Sequence, residues 1–489
     1  MTSVPASTVP PAVAPVPDSA APAAPAAPRT SSARRYDRTI IEGPLTSAVW
    51  KLAWPTMLAN VIGGIQGMID HILVGNLVGY TGNAAIGVSW QIFLVVIVFM
   101  SSLFTGMSVL VARYVGAGNE EMADKAVYQA FITAAFLSFG VLAPLGYLSA
   151  PVLLRLINAA PIVQAEALPF LRIMFVCSGG MMVFFLLGGA LRSAGDARTP
   201  MILGVTMTLL NIGLNIIFIR GLGPIHAFGT TGAAIGTSIA SGTIGIFSLF
   251  KLWHGGWVVR FPRGQGWGPD WEIIKSLFRF GLPTGFQGIA MNVGGMLLLA
   301  FIGSLEHGAA AQAAYAIAYT QLFSLITWTS QGLLGATAAV AGQNLGARQA
   351  DRANAAVHTA ARFGLLAAVI VGAAFLFIPR ALLAVFGMHD PTVVSIGVQL
   401  LRVLSVSGLL ISVALTYTGG LQGTGDTKAP MYISIVSQIV VPLGICFVVK
   451  SVSTLHPIDV WSAILVGHAT RCGLSVWRFR QGKWRTIRI

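Results

Sequence analysis

Charge is scarce in this chain. Of its 489 residues only 9% are charged, against about 25% in a soluble protein. That is too little to cover a water-soluble fold of this length. Cysteine is nearly missing. Cys177, Cys446 and Cys472 all fall in or beside apolar runs, show no metal-ligand spacing and form no disulfide framework. No GxxxxGK[ST] pattern occurs, so ATP hydrolysis within the chain is not expected. No His/Cys/carboxylate cluster has metal spacing, and no residue pattern points to an enzyme or a resident cofactor. The alternating segments of about 10 residues that build a transmembrane β-barrel are also absent.

What the chain has is apolar length. It is 55% hydrophobic, and segments long enough to cross a bilayer recur along nearly all of it. The expected spans are 48–78, 84–112, 126–150, 164–190, 200–219, 229–250, 273–303, 310–341, 355–378, 394–420, 430–449 and 457–477. The expectation is an all-α, polytopic membrane protein of twelve transmembrane helices. The net charge of +14 raises nucleic acid as a partner, but its distribution argues for topology instead. With the N-terminus placed inside, only Arg155, Arg220, Arg380 and Lys450 fall at outer ends, with Arg172 and Arg402 near the outer ends of spans. All other Lys and Arg fall at inner ends, which is the positive-inside pattern. Both termini are expected in the cytoplasm of a bacterial cell, the spans in its inner membrane and the basic residues against anionic lipid. Residues 1–44, rich in Ala, Pro and Ser, lack the apolar core of a signal peptide and read as a disordered cytoplasmic tail.

The chain also repeats itself. "LRSAGDARTPM" (191–201) returns as "LQGTGDTKAPM" (421–431), 230 residues later. The same offset sets Leu171-Arg172 against Leu401-Arg402 and "VARYVGAG" against "AGQNLGAR". Pro55 and Gly75 match Pro283 and Gly303 at an offset of 228. Two lobes of six helices follow, 45–257 and 272–489, joined by an inner linker, 258–271. An offset of six spans keeps both lobes in the same orientation, related by a pseudo-twofold axis along the membrane normal. Gly195, Gly425, Gly116 and Gly346 are expected to close helices, and Asp196 and Asp426 to start the next ones.

Among 16 acidic residues, only Asp70 lies well inside a span. A carboxylate there costs a few kcal/mol or more, so it is a functional candidate by default. Its repeat partner is Leu298, so the architecture by itself demands no acid at this place. Gln66 precedes it by one turn on the same face. On the fifth span Asn211 and Asn215 are also four apart, and both pairs fall in the outer half of the membrane. Successive helix residues point about 100° apart, so His71 does not face Asp70; it and His468 are expected to be packed or capped by a polar neighbour. The substrate path is expected between the lobes, at Met68, Gln91, Gln287, Asn292, Tyr319 and Trp328, where scattered amides and aromatics suit flat amphipathic cations.

The pieces "WPTMLANVIGGIQGMIDHILVGNLVG", "VARYVGAGNEEMADKA", "LRSAGDARTPM", "NIGLNIIFIRGLG", "GTTGAAIGTSIAS", "GQNLGARQADRANAA" and "LQGTGDTKAPM" stand here in an order and two-lobe spacing that resemble the multidrug and toxic compound extrusion (MATE) family over about residues 45–480. The resemblance implies a monomeric secondary antiporter that exports organic cations and other amphipathic compounds in exchange for protons or sodium ions. It also implies a cation site of an Asp on the first helix with Asn, or Asn and Asp, on the fifth, which Asp70, Asn211 and Asn215 match. One branch of the family has Asp where this chain has Asn215. Another has acids on the seventh and tenth helices, where this chain has none. Sodium calls for several oxygen ligands, which Asp70, Gln66, Asn211 and Asn215 offer; a proton needs one carboxylate, and the single negative charge tilts the expectation toward protons. The competing functions are a flippase for lipid-linked saccharides, disfavoured by a lack of basic residues inside the spans beyond Arg172 and Arg402, and a channel, which has no use for a lone titratable acid in one lobe.

Overall fold

The computed structural model describes residues 36–157, 159–222, 224–262 and 268–488. Most of the expected tail, residues 1–35, lies outside the described residues. Twelve helical spans follow in order: α1 (Leu45–Leu77), α2 (Tyr80–Gly116), α3 (Glu120–Leu156), α4 (Pro161–Val176 and Ser178–Ser193), α5 (Arg198–Arg220), α6 (Thr230–His254), α7 (Trp271–Gly303), α8 (Gly308–Ile317, Ala318–Leu322 and Ser324–Gly346), α9 (Ala350–Phe377), α10 (Pro391–Gly423), α11 (Lys428–Val452) and α12 (Pro457–Arg480). Nine of them are singly long and apolar enough to cross a membrane, and α4, bent by 51° between its two pieces, makes a tenth. The two that fall short are the polar ones. α8 carries Gln321, Thr327, Thr329 and Gln331, and α12 carries His468 and Arg471.

Local chemistry sets the helix ends. Asp270 and Asp390 accept hydrogen bonds from the first free backbone N–H groups of α7 and α10. Gly195 and Gly425 hold φ of +102° and +99°, which only glycine adopts without strain, and Asp196 and Asp426 accept from the backbones of Thr199 and Ala429 in the next helix. Asp426 also forms an ion pair with Arg478, 2.7 Å away.

Gly116 and Gly346 differ from the expectation. The left-handed positions after α2 and α8 are Gly118 and Arg348. Gly116 and Gly346 sit in the last turns and bring the lobes together: an added Cβ on Gly116 would lie 1.9 Å from the Gln343 carbonyl oxygen, and one on Gly346 2.2 Å from that of Arg113. They are glycines for close approach, not for termination.

One hydrophobic cluster draws on residues from Tyr36 to Phe280, and a second on residues from Leu298 to Ile464, which are the cores of the two lobes. The lobes meet along α2 against α7 and α1 against α8. That seam is tight only at the basic end of the bundle. Gly106 and Gly281 leave no room for a Cβ against the carbonyls of Leu277 and Ser102, and Gly332 packs on the backbone of Met57. Gly288 continues the Gly281–Gly285 stripe of α7 toward the other end, yet nothing lies within 4 Å of its missing Cβ. Gly63, Gly67 and Gly87 are equally open. The lobes therefore diverge from a closed basic end into a cleft open at the opposite end.

Residues 36–44 correct the expected tail. Thr39–Glu42 form a turn of helix, Ile40 is fully buried and Lys51 pairs with Asp37. Arg352 of α9 donates to the carbonyl of Gly43, and Asn344 of α8 to that of Ile40. This segment fastens the start of α1 to the second lobe, because its apolar residues find a pocket that composition alone does not reveal. The linker is docked as well. Gln129 of α3 donates to the carbonyl of Gly268 and accepts from the backbone N–H of Asp270, and the side chain of Asp270 pairs with Lys125 at 2.6 Å. Residues 263–267 of the linker lie outside the described residues.

Candidate functional site

The acid, amides and hydroxyls of the first lobe converge where α1, α5 and α6 meet. Asp70 Oδ1 accepts a 2.8 Å hydrogen bond from Asn215 Nδ2, which also reaches Asn211 Oδ1 at 3.2 Å. Asn211 Nδ2 donates to Thr237 Oγ1 of α6 at 2.9 Å. One turn below Asp70, Gln66 Oε1 accepts from Thr208 Oγ1 at 2.6 Å. Three of the residues singled out from sequence, Asp70, Asn211 and Asn215, thus share one network that Thr237 completes, while Gln66 forms a separate pair with Thr208 one turn away. Thr208 lies three residues before Asn211 and so on the same face of α5, a signal that was readable. Thr237 comes from a helix that no local spacing ties to α5.

Packing fixes the geometry. Asn211 and Asn215 are buried, and Gly236 of α6 makes room for the latter: a Cβ there would sit 2.1 Å from Asn215 Oδ1. That Oδ1 is buried without a hydrogen-bond partner. An unmet acceptor in a buried site costs roughly 1–3 kcal/mol, so the network holds one vacant acceptor two covalent bonds from the amide nitrogen that binds Asp70. Asp70 stands seven residues before the end of α1, about 10 Å along a helix. His71 turns away, its Nδ1 against Asn83 Oδ1. His468 is packed, as expected, in a stack with Phe323, 5.7 Å between ring centroids and tilted by 17°.

The expected cleft residues separate into groups. Trp328 of α8 covers Gly64 of α1, where an added Cβ would lie 2.3 Å from the indole, and so forms the floor of the cleft. Gln91 is exposed on α2, one heptad from Val98, which packs on Gly285, and so faces the opening. Met68 is half-buried. Gln287 is not free to meet a substrate: it is buried, donates to Ser434 Oγ at 2.8 Å and accepts from Gln422. Its neighbours on α10 and α11 are far off in sequence, so its burial was not legible. Asn292 and Tyr319 line a different cavity, inside the second lobe.

Basic residues inside the bundle also need correcting. α4 runs further than expected, to Ser193, which brings Arg192 within its helix, and Arg471, inside the expected last span but counted with its inner end, stands more than two turns before the end of α12 at Arg480. Arg192 lies 5.7 Å from the Phe104 ring centroid beside a gap of only about 30 Å³ at the closed seam. Arg471 is buried in the second lobe. Among the described residues no group of three or more His, Cys, Asp or Glu is placed to hold a metal, and all three cysteines are free.

Two pseudo-symmetric lobes of six membrane-crossing helices, with a cleft between them and one amide-bound acid inside one lobe, define a two-lobe membrane transporter. The MatE family model matches residues 55–217 and again 283–448, and the chain belongs to the MATE family of efflux transporters. The two matches begin at Pro55 and Pro283, the pair that the internal repeat aligns. A probable multidrug resistance protein NorM of Thermotoga maritima is 28% identical over 89% of this chain and 92% of its own length. The multidrug resistance protein MdtK of Pectobacterium atrosepticum is 26% identical over 88% of this chain and 94% of its own. Among solved structures, MATE in complex with MaL6 superposes with a TM-score of 0.85 at 23% identity, covering 94% of this chain and all of that one. An outward-facing conformation of a multidrug resistance MATE transporter gives the same TM-score at 23% identity, also over 94% of this chain and all of its own.

Proposed function

We propose that this protein is a secondary antiporter of the bacterial inner membrane, exporting amphipathic, chiefly cationic organic compounds by alternating access in exchange for protons. The observation that carries this reading is the hydrogen bond between Asp70 and Asn215, inside the first lobe, where the other members of its network, Asn211 and Thr237, are neutral. The relatives named for multidrug resistance support the export of small compounds. The basic end is cytoplasmic by the positive-inside rule, with both termini there, so the open cleft faces outward.

Asp70 exchanges one proton per cycle with the outer aqueous phase. As a carboxylate it accepts from Asn215 Nδ2. Once protonated it becomes a donor, and Nδ2 no longer faces an anion. Rotation of the Asn215 amide then presents its vacant Oδ1 to the Asp70 hydroxyl. The swap trades a charge-assisted bond for a neutral one, roughly half as strong. It loosens α1 on α5, and α1 repacks into the cleft as substrate leaves. Sodium is the weaker reading. The oxygens of Gln66 and Asn211 and Oδ1 of Asp70 already accept hydrogen bonds, which leaves Asp70 Oδ2 and Asn215 Oδ1 as the free ligands to a metal. In the cleft, the half-buried Trp328 indole offers a face to a flat cation.

A flippase for lipid-linked saccharides needs basic groups in the open cleft, whereas Arg192 sits at the closed seam and Arg471 inside the second lobe. The test is dye efflux from proteoliposomes under a pH gradient and, separately, a sodium gradient. Efflux of a cationic dye driven by the pH gradient alone is expected. Efflux driven only by sodium replaces the proton with the metal, and efflux with neither gradient makes the protein a passive pore.

A further inference from the structure

The second lobe holds a cavity of about 270 Å³ between α7, α8, α11 and α12, lined in part by Asn292, Leu298, Tyr319, Gln438 and His468. Leu298 is the repeat partner of Asp70, so this cavity is the second lobe's counterpart of the acid site. Its chemistry is the opposite. No carboxylate lines it. Gln438 Nε2 and His468 Nδ1 are buried and have no hydrogen-bond partner. One turn along α12 from His468, Arg471 is only 2% exposed, with no hydrogen bond or ion pair among the described residues. Three residues from His468, which lines the cavity, its charge lies on the same side of α12, beside the cavity wall.

The acids of this lobe do not reach it. Asp459, on the same helix, accepts from the backbone of His456 at the helix start, and Asp426 is paired with Arg478 at the other end. A buried cation without a partner costs several kcal/mol, and an unpaired buried donor adds to that cost. A bound anion relieves both at once. One wall of the cavity is flat: Tyr315 and Tyr319 stack at 4.8 Å and 10°, and Tyr315 continues onto Trp461 at 6.2 Å and 9°. The volume falls just below the roughly 300–1,000 Å³ of drug-sized pockets.

We propose that this cavity is a second ligand site, separate from the Asp70 network, that takes a small organic anion: a carboxylate on a single aromatic ring, the ring against the tyrosine stack and the carboxylate toward Gln438, His468 and Arg471. Benzoate is the probe, and benzamide, its neutral isostere, the control. Full-length protein purified in neutral detergent is titrated with each by calorimetry and by tryptophan fluorescence, which Trp461 reports. Saturable benzoate binding at least ten-fold tighter than benzamide is expected, lost by at least ten-fold in R471M and Q438L. D70N should bind benzoate like the parent, which separates this site from the coupling site: failure here leaves gradient-driven efflux untouched, and failure there leaves benzoate binding untouched. Equal binding of benzoate and benzamide, no saturable binding, or unchanged affinity in a folded R471M would each overturn the site. Competition by chloride as strong as by benzoate would overturn the aromatic part of the assignment.

Discussion

The two lobes share one helical plan and put opposite chemistry in the matching place. In the first, a carboxylate meets two asparagines and a threonine on neighbouring helices. In the second, the acid is replaced by Leu298, and the partner positions of Asn211 and Asn215, at the 230-residue offset, are Val441 and Ile445. The polar groups there come instead from α7, α8, α11 and α12, and the buried charge is a guanidinium. Duplication fixes where a site can be built, because the same helices must pack the same way. What is built there depends on a handful of side chains that the packing tolerates in either form.

The sharpest way to break the comparison is Asp70→Asn. The variant is nearly the same size and permanently neutral, so gradient-driven dye efflux should fall to background while insertion and thermal stability hold. Wild-type efflux by D70N would reduce Asp70 to a packing residue. A second contrast concerns the two ends of the seam. Gly281→Val forces a side chain against the Ser102 carbonyl, whereas Gly288→Val enters open space. G281V should lose about 1–3 kcal/mol of stability by overpacking, read as a lower melting temperature, and G288V should not. Comparable losses in both would mean that the lobes do not diverge.

Asn215→Leu removes the donor to Asp70, giving the first lobe the apolar chemistry of the second. A hydrogen bond to a charged group is worth roughly 1.5–3 kcal/mol, and a stability loss in that range, alongside impaired efflux, is expected from thermal unfolding. A smaller effect comes from Asp270, at the start of α7. Removing this helix cap as Asp270→Ala costs about 1 kcal/mol. The hydrogen bond from Lys125 holds its carboxyl below the ordinary 3.8. A depressed carboxylate stabilises the fold above the unfolded value and loses that contribution as pH falls through the folded value. The gap between the parent and D270A in melting temperature should therefore be constant near neutrality and shrink below about pH 4. The smallest effect is expected from deleting residues 2–35, which should leave efflux intact. Extending the cut to residue 44 removes the buried Ile40 and should lower the melting temperature, and equal behaviour of the two truncations would show that residues 36–44 contribute nothing.

The sequence was most legible where one residue type had no bland explanation. Asp70 stood out because no other acid lies well inside a span, and Gln66, Asn211 and Asn215 followed from one-turn spacing. Legibility failed where partners come from distant helices. Gln287 looked like a cleft amide until Ser434 and Gln422 closed over it. Tyr36, Ile40 and Ile41 looked like the end of a low-complexity tail, since three apolar residues carry no periodicity. Gly116 and Gly346 looked like helix terminators because a glycine chosen for close approach and one chosen for a left-handed turn are identical in sequence.

The sequence by itself determined the number of spans, the duplication and the position of the acid inside a span. Each depends on a property summed along the chain or on a residue whose cost in an apolar span is independent of its neighbours. Only the tertiary structure decided that the seam is closed at the basic end, that Gly236 makes room for Asn215, and that Arg471 and His468 stand behind a cavity without an acid. These depend on which atoms approach across helices hundreds of residues apart, where a shift of 1–2 Å separates contact from open space.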